Sequence, residues 1–454
     1  TISGNRNYVK MAQRFNIGSS SAPYLQAVVA NKSGEIFELD DYAALGMAAG
    51  NFAPLSTTET VPVPHGSEFM RLPQRRPVVY SIRKQRAVTL IENPYSPGEP
   101  IYPVAIFNSP GYMITHVCAY EEEPRVDSLP LFSYGAVGWY GNGFQSAAKQ
   151  IDAEPRQDLK RMPQEKILAG VRQMRRQMPK NRLCRHLENC ALVYGCPAAK
   201  NFFLGRYEAP LPTSRRCNAR CQGCISLQEN TGIQPSQQRI NFTPTPDEIA
   251  EVALMHIAKT GRPVVSFGQG CEGDPLLAAD VIGPAIRAIR KKTSSGTINM
   301  NTNASRPDIL DRLFDAGLDS IRVSLNSVRP DGYNRYFRPR GYRFVDVVRS
   351  IDLSVSRNRF VAINYLNSPG FTDTPEELGA LTNFIRNHSI HMIQWRNLNF
   401  DPMRYWQIVN PIVPSGQPMG MHRFFNTIKR QFPSLMHGYF NPPKEKWFQM
   451  GKPP

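Results

Sequence analysis

From about residue 200 onward the chain alternates short apolar runs with helical patterns, the sequence form of a parallel β/α array. The runs fall at 202–213, 263–270, 296–303, 320–327, 359–366 and 392–398. Between them lie PDEIAEVALMHIAKTG, LLAADVIGPAIRAIRKK, RPDILDRLFDAGL, FVDVVRSIDLSVSR and TPEELGALTNFIRNH. The first of these has acids at its start and glycine at its end, as helix termini prefer. Six strands separated by five helices predict an α/β fold over residues 200–400, a partial six-unit version of the TIM-like β/α barrel. In such a barrel, functional residues gather at the C-terminal ends of the strands.

Residues 23–135 read differently. YLQAVVA, GEIFELD, RPVVYSI, RAVTLIE and YPVAIFN are strand-like runs separated by Pro, Gly and Asn, so residues 1–143 are expected to form a β-rich N-terminal domain, with antiparallel pairing. A helical linker is expected over 144–199 and a cap or tail over 401–454, with no internal repeat. At 454 residues the chain is too long for one ordinary core, and its 41% hydrophobic content is ample for two. No run of eighteen apolar residues occurs and TISGNRNYVKMAQRF has no apolar signal segment, so neither a membrane span nor an export signal is visible. The first residue is Thr rather than Met, which leaves room for an upstream piece. Eight cysteines in so long a chain are too few for a disulfide scaffold and point to a reducing cytoplasm.

Three of the cysteines stand in RRCNARCQGCIS, at Cys217, Cys221 and Cys224, directly after the first run. Four thiolates would close a structural zinc site, whereas three thiolates on an iron–sulfur cubane leave one iron open to chemistry. A zinc knuckle borrowing a distant fourth ligand is the rival reading. Small or polar Asn218, Ala219, Gln222 and Gly223 let backbone amides approach the sulfurs, which tunes a cluster's potential.

The C-x3-C-x2-C loop resembles the signature of the radical SAM superfamily, whose members hold a [4Fe-4S] cluster through three cysteines and bind S-adenosylmethionine at the fourth iron. One departure is Gly223, where such families often carry an aromatic residue near the adenine. The resemblance continues into FGQGCEGDPLL, which is similar to a glycine-rich motif that meets the cosubstrate's amino group. It implies roles for Gly270, Glu272 and Asp274, and either carboxylate suits the ammonium. Asp274, just before Pro275, is the better placed of the two. It further implies that Asn301, Thr302, Asn303, Ser324 and Asn326, at the ends of the third and fourth strands, hold ribose and carboxylate. Arg338, in YFRPRGY, is the expected carboxylate partner, and INYLNSPGF the adenine contact.

Upstream, Cys184, Cys190 and Cys196 stand at equal gaps that match no standard zinc spacing. An auxiliary iron–sulfur cluster, with Cys118 or an outside ligand as the fourth, and buried structural thiols are both open. The charge of +17, concentrated partly in the helical stretch 160–185, suits a nucleic-acid or acidic-protein surface as well as a solvated helix face. The resemblance implies reductive cleavage of S-adenosylmethionine, fed by flavodoxin or ferredoxin. The resulting 5′-deoxyadenosyl radical would abstract hydrogen from a substrate that is large or anionic, a peptide or protein or an RNA, in an anaerobic setting. An iron–sulfur electron carrier or cluster scaffold without cosubstrate chemistry is the alternative.

Overall fold

The computed structural model describes residues 23–229, 231–413 and 417–447; the opening segment inspected for an export signal lies outside them. The chain divides into two compact units. Among the described residues, one comprises the chain up to Phe107 with His116–Val126 and Tyr134–Ala148, and the other Asn108–Thr115, Asp127–Ser133 and the chain from Lys149 onward. Among the described residues no helix is long and apolar enough to cross a membrane.

The first unit is β-rich and its sheet pairs antiparallel throughout, as the alternation of strand-like runs and breakers predicts. All five expected strands form, at Gln26–Ala30, Ile36–Ala43, Arg75–Ser81, Arg86–Thr89 and Tyr102–Phe107. The expectation of helix from residue 144 starts too early. Val137–Tyr140 pairs with Gly143–Ser146 through a two-residue turn, with Gly141 at φ +59°. Gly-Asn is a tight-hairpin signal, and it overrides the helical reading there. The first long helix, α1, begins only at Gln164–Gln177, followed by α2 (Arg182–Leu192) and α3 (Pro197–Phe203).

The second unit is built on one parallel sheet in strict sequence order: β1 Glu208–Pro210, β2 Val264–Phe267, β3 Thr297–Thr302, β4 Ser320–Leu325, β5 Phe360–Asn367, β6 Met392–Asn397 and β7 Met436–Gly438. The helices are α4 (Pro246–Lys259), α5 (Ala279–Lys292), α6 (Pro307–Ala316), α7 (Pro330–Phe337), α8 (Phe344–Ser356), α9 (Pro375–His388), α10 (Pro402–Val409) and α11 (Met421–Gln431). The partial-barrel reading therefore holds, with one more strand than expected. That seventh strand is three residues long, too short for any period to show. The first strand is also shorter than its run, because Phe202 and Phe203 belong to α3 and bury into the core.

Strand periodicity divides this sheet. Val265, Phe267, Ile298, Met300, Ile321, Val323, Val361, Ile363, Ile393 and Trp395 join the large core under the helices. Most alternate positions are polar, namely Ser266, Asn299, Asn301, Ser320, Arg322, Ser324, Asn364, Gln394 and Arg396, while Phe360, Ala362 and Met392 make a small apolar cluster of their own. Successive side chains in a strand face opposite sides, so these share the second face. Register brings Asn299 beside Ser320, Asn301 beside Arg322, and Ser324 beside Asn364 and then Gln394. The C-terminal segment crosses this face. Asn441 Nδ2 donates to Glu208 at 2.8 Å, and Gln394 Nε2 donates to Asn441 Oδ1 at 2.9 Å.

Two buried histidines give the fold an acid limit. His437 Nδ1 accepts from Trp395 Nε1 at 3.0 Å, and His256 Nε2 lies 3.3 Å from the Tyr207 carbonyl oxygen. Burial pushes both rings down to about 4, with Lys429 adding to the effect at His437. The unfolded chain takes up these protons below about pH 6.5, whereas the folded chain refuses them until about 4. Their contribution is therefore complete above 6.5 and is lost as pH falls through this window, on the order of 2–3 kcal/mol per ring. His437→Gln is expected to flatten the fall of melting temperature between pH 7 and pH 5; an unchanged slope would contradict this account.

Candidate active site

The cysteine loop follows β1 and is held from two sides. On one side it runs beside the glycine-rich loop that follows β2. Gly273 N donates to Ser214 O at 2.7 Å and Asp274 N to Arg216 O at 2.9 Å. A Cβ on Gly273 would lie 1.9 Å from the Arg216 carbonyl oxygen, and one on Gly268, at φ +78°, 1.7 Å from that of Asn301. These glycines let backbone meet backbone. On the other side, Arg220 N donates to Phe337 O, Gln222 N to Tyr336 O and Arg340 N to Asn218 O. The segment after α7 thus forms a second wall.

Cys217, Cys221 and Cys224 are half-buried within this frame. Ala219 N points at Cys217 Sγ at 3.4 Å, and Arg239 Nη2 reaches Cys224 Sγ at 3.5 Å. Burial, together with the charge of Asp274, pushes the Cys217 thiol up to about 11, and burial raises Cys221 as well. Loading a metal group therefore displaces protons from these sulfurs. Three thiols in one short loop, a guanidinium and an amide aimed at sulfur, and no fourth cysteine in the loop fit a three-thiolate cluster with an open corner.

Both carboxylates of the glycine-rich loop are buried and engaged inside the protein. One oxygen of Glu272 accepts from Thr213 N and Ser214 N, each at 2.8 Å, and the other from Gly268 N and Gln269 N, each at 2.7 Å. Burial pushes its carboxyl up to about 7 against the downward pull of those amides. Asp274 accepts from Thr302 Oγ1, from Asn303 N at 2.7 Å and from Leu276 N at 3.1 Å; burial raises it to about 6. Glu272 ties the cysteine loop to β2, and Asp274 ties the same loop to the end of β3.

The other expected residues divide by place. Gly270 is exposed at the tip of its loop. Asn301 donates to Gly268 O at 3.0 Å, and Asn303 Nδ2 to Asn218 Oδ1 at 2.8 Å, so both join the strand end to the loops. Asn326 is buried and donates to Gly332 O and Tyr405 Oη, at 3.0 and 3.1 Å. Ser324 is half-buried on the polar face of β4. Arg338 is exposed at the end of α7, φ +48°, and with Arg220, Arg340 and Arg343 lines an open cleft of about 450 Å³. Within INYLNSPGF, Asn367 is buried with both side-chain amide atoms unpartnered among the described residues.

Gly223 has no room for an aromatic. A Cβ there would stand 2.9 Å from Tyr336 Oη and 3.1 Å from Asn399 O. Tyr336, buried beside the cysteine loop, fills that space with its ring hydroxyl. It was missed because α7 lies more than a hundred residues on, and no local spacing links the two; Arg239 lies only 15 residues past Cys224, but no ligand spacing marks it. Arg322 and Arg396 had a legible signal, the strict alternation in IRVSL and IQWRN. Arg322 Nη1 donates to Gln394 at 3.0 Å and Arg396 lies 3.6 Å over the Tyr439 ring. The Nε atoms of both are buried without a partner among the described residues. Burial first, then the charge of Arg396, pushes Arg322 down to about 9.

Cys184, Cys190 and Cys196 do not gather as one close set. Cys118 is buried in the first unit's core and donates to Val104 O at 3.2 Å. Cys184 packs in the large core, its thiol pushed up to about 12 by burial. Cys190 instead meets His186, one helical turn before it on α2, and Cys271 of the glycine-rich loop.

Comparison with known proteins finds one superfamily over part of the chain. The radical SAM superfamily model matches residues 211–384. Molybdenum cofactor biosynthesis protein 1 of Drosophila melanogaster is 25% identical over 192 residues, 41% of this chain and 31% of that protein. GTP 3′,8-cyclase of Picosynechococcus sp. is 25% identical over 129 residues, 28% of this chain and 36% of that protein. The chain thus spans about a third of the length of these relatives. Among solved structures, Streptococcus suis SuiB matches at 12% identity over 57% of this chain and 53% of its own, with a TM-score of 0.37, too low to carry an argument. With its three-cysteine loop after the first strand of a partial β/α barrel, the chain carries over residues 211–384 a domain of the radical SAM superfamily.

Proposed function

We propose that this chain is an enzyme that cleaves S-adenosylmethionine reductively and uses the product to take hydrogen from an anionic substrate held on the polar face of the sheet. The observation that carries the substrate class is the pair Arg322 and Arg396, two neighbouring guanidiniums with unpartnered Nε atoms and no carboxylate bonded to either among the described residues. Cys217, Cys221 and Cys224 would hold a [4Fe-4S] cluster, with flavodoxin or ferredoxin as reductant. When bound, cluster and cosubstrate supply a 5′-deoxyadenosyl radical, able to abstract hydrogen from a carbon that no side chain could deprotonate.

The protein's part is position and exclusion of water. Glu272 and Asp274 act as positioning residues, fixing the cysteine loop against the ends of β2 and β3 through backbone amides. Gly270, Asn301, Asn303 and Ser324 lie around those strand ends and would receive the cosubstrate, with Tyr336 and Asn367 as contacts for its base. Arg338, on the open cleft, would meet an anionic group arriving from solvent. Arg239 places positive charge on Cys224, which favours the reduced cluster.

Guanidinium forks suit carboxylate and phosphate, so the substrate class includes nucleotides, RNA ends and acidic peptides. Three relatives are named for GTP cyclisation, and a nucleoside triphosphate is one anion of this kind. The test is fractionation. Anaerobic lysate is divided by anion exchange, and each fraction, with and without RNase, is assayed for stimulating 5′-deoxyadenosine formation. Stimulation is expected from retained fractions, and Arg322→Gln should raise the half-stimulating concentration roughly 10- to 100-fold, as loss of a hydrogen bond to a charged group predicts. Stimulation confined to unretained fractions would overturn the substrate class.

A further inference from the structure

His186, Cys190 and Cys271 are the group of three His, Cys, Asp or Glu residues, among those described, whose donor atoms all lie within 4.8 Å of one another. His186 and Cys190 are brought together by helical i, i+4 spacing on α2, while Cys271 arrives from a loop some eighty residues later. His186 Nε2 stands 3.5 Å from Cys190 Sγ. Cys271 and Cys190 are both buried and His186 is half-buried. Cys196 begins α3 beside them, its backbone N donating to the Cys190 carbonyl at 2.9 Å. Its thiol lies outside the 4.8 Å group, so as a fourth donor it would move in on metal binding.

We infer that His186, Cys190 and Cys271, with Cys196 as the fourth donor, form a second metal site, mononuclear, tetrahedral and of the zinc type. Geometry decides between one ion and a cluster. Around one tetrahedral ion with metal–sulfur bonds of about 2.3 Å, two thiolates stand roughly 3.8 Å apart. The terminal sulfurs of a cubane each bind a different iron and must stand farther apart. The close set of His186, Cys190 and Cys271 fits the first case. By contrast, Cys217, Cys221 and Cys224 form no such close group.

Three thiolates and an imidazole close the coordination sphere, so the site is structural. Binding converts three thiols to thiolates and releases their protons to solvent. The ion would staple α2 to the glycine-rich loop at the residue directly before Glu272, the carboxylate that fixes the cysteine loop. This inference does not depend on cosubstrate chemistry.

The test is metal analysis by mass spectrometry on full-length protein purified without chelator. Wild-type chain is expected to carry about one zinc per chain, the four-donor site being filled once. The triple Ala variant of Cys217, Cys221 and Cys224 should keep that zinc while losing cluster iron. Cys190→Ser with Cys271→Ser should lose the zinc and keep the iron. Cobalt(II) added to metal-free wild type should give thiolate-to-cobalt charge-transfer absorption and intense tetrahedral d–d bands. If the double variant does not fold, His186→Gln serves, with zinc affinity at least about 10-fold weaker in competition with a chromophoric chelator. Wild type without zinc and without cobalt thiolate bands, a Cys190–Cys271 disulfide in place of the ion, loss of iron in place of zinc in the double variant, or undiminished affinity in His186→Gln would each overturn the site.

Discussion

Protein in which Cys217, Cys221 and Cys224 are all replaced by alanine is expected to take up none of the iron that reconstituted wild type holds as a [4Fe-4S] cluster, and to fold nonetheless. The three thiols are half-buried in a loop whose backbone is held at 214–216 by 273–274 and at 218–222 by 336–340, with one backbone bond to sulfur, from Ala219 N to Cys217 Sγ. Alanine therefore removes the ligands and spares the frame. Each change costs at most a few kcal/mol of packing, whereas ligation falls from three thiolates to none. Iron quantitation with low-temperature spin resonance of the reduced protein checks it. A variant that binds the same cluster would show that the ligands lie elsewhere.

Glu272→Gln is expected to be nearly as damaging by a different route. Glutamine keeps one acceptor oxygen and turns its NH2 group toward two amide donors. Two buried N–H groups out of Thr213, Ser214, Gly268 and Gln269 then lack acceptors. Each such loss costs about 1–3 kcal/mol, so together about 2–6 kcal/mol, falling on the junction between the cysteine loop and β2. Asp274→Asn should do less, because the Thr302 hydroxyl, one of its partners, can rotate to reverse its bond. Thermal unfolding and cluster retention under anaerobic conditions are the measurements. Wild-type melting and iron content in Glu272→Gln would mean that this carboxylate does not hold the loops together.

Much of the barrel was legible because its strands and helices announce themselves by period. The three cysteines were legible because their ligand geometry is local, confined to eight residues from Cys217 to Cys224. What surrounds them was not. Tyr336, Arg239 and Thr302 reach the site from separate elements, and only the fold brings them together. The jobs of Glu272 and Asp274 were hidden for a related reason, since most of their partners are backbone N–H donors, which any residue supplies. Cys190 and Cys271 are 81 positions apart, so spacing rules pointed to the nearer Cys184 and Cys196. The polar face, in contrast, stood in plain view as INMNT, IRVSL and IQWRN, which alternate apolar with polar at the period of a strand.

Binding and cleavage of S-adenosylmethionine at a cluster held by Cys217, Cys221 and Cys224 is the central proposal for this domain. Cluster-loaded wild-type protein, reduced by dithionite under anaerobic conditions and given S-adenosylmethionine, should release 5′-deoxyadenosine detectable by liquid chromatography and mass spectrometry. Release of none from fully loaded and reduced protein, with or without lysate fractions, would contradict the account and leave an electron carrier or cluster scaffold.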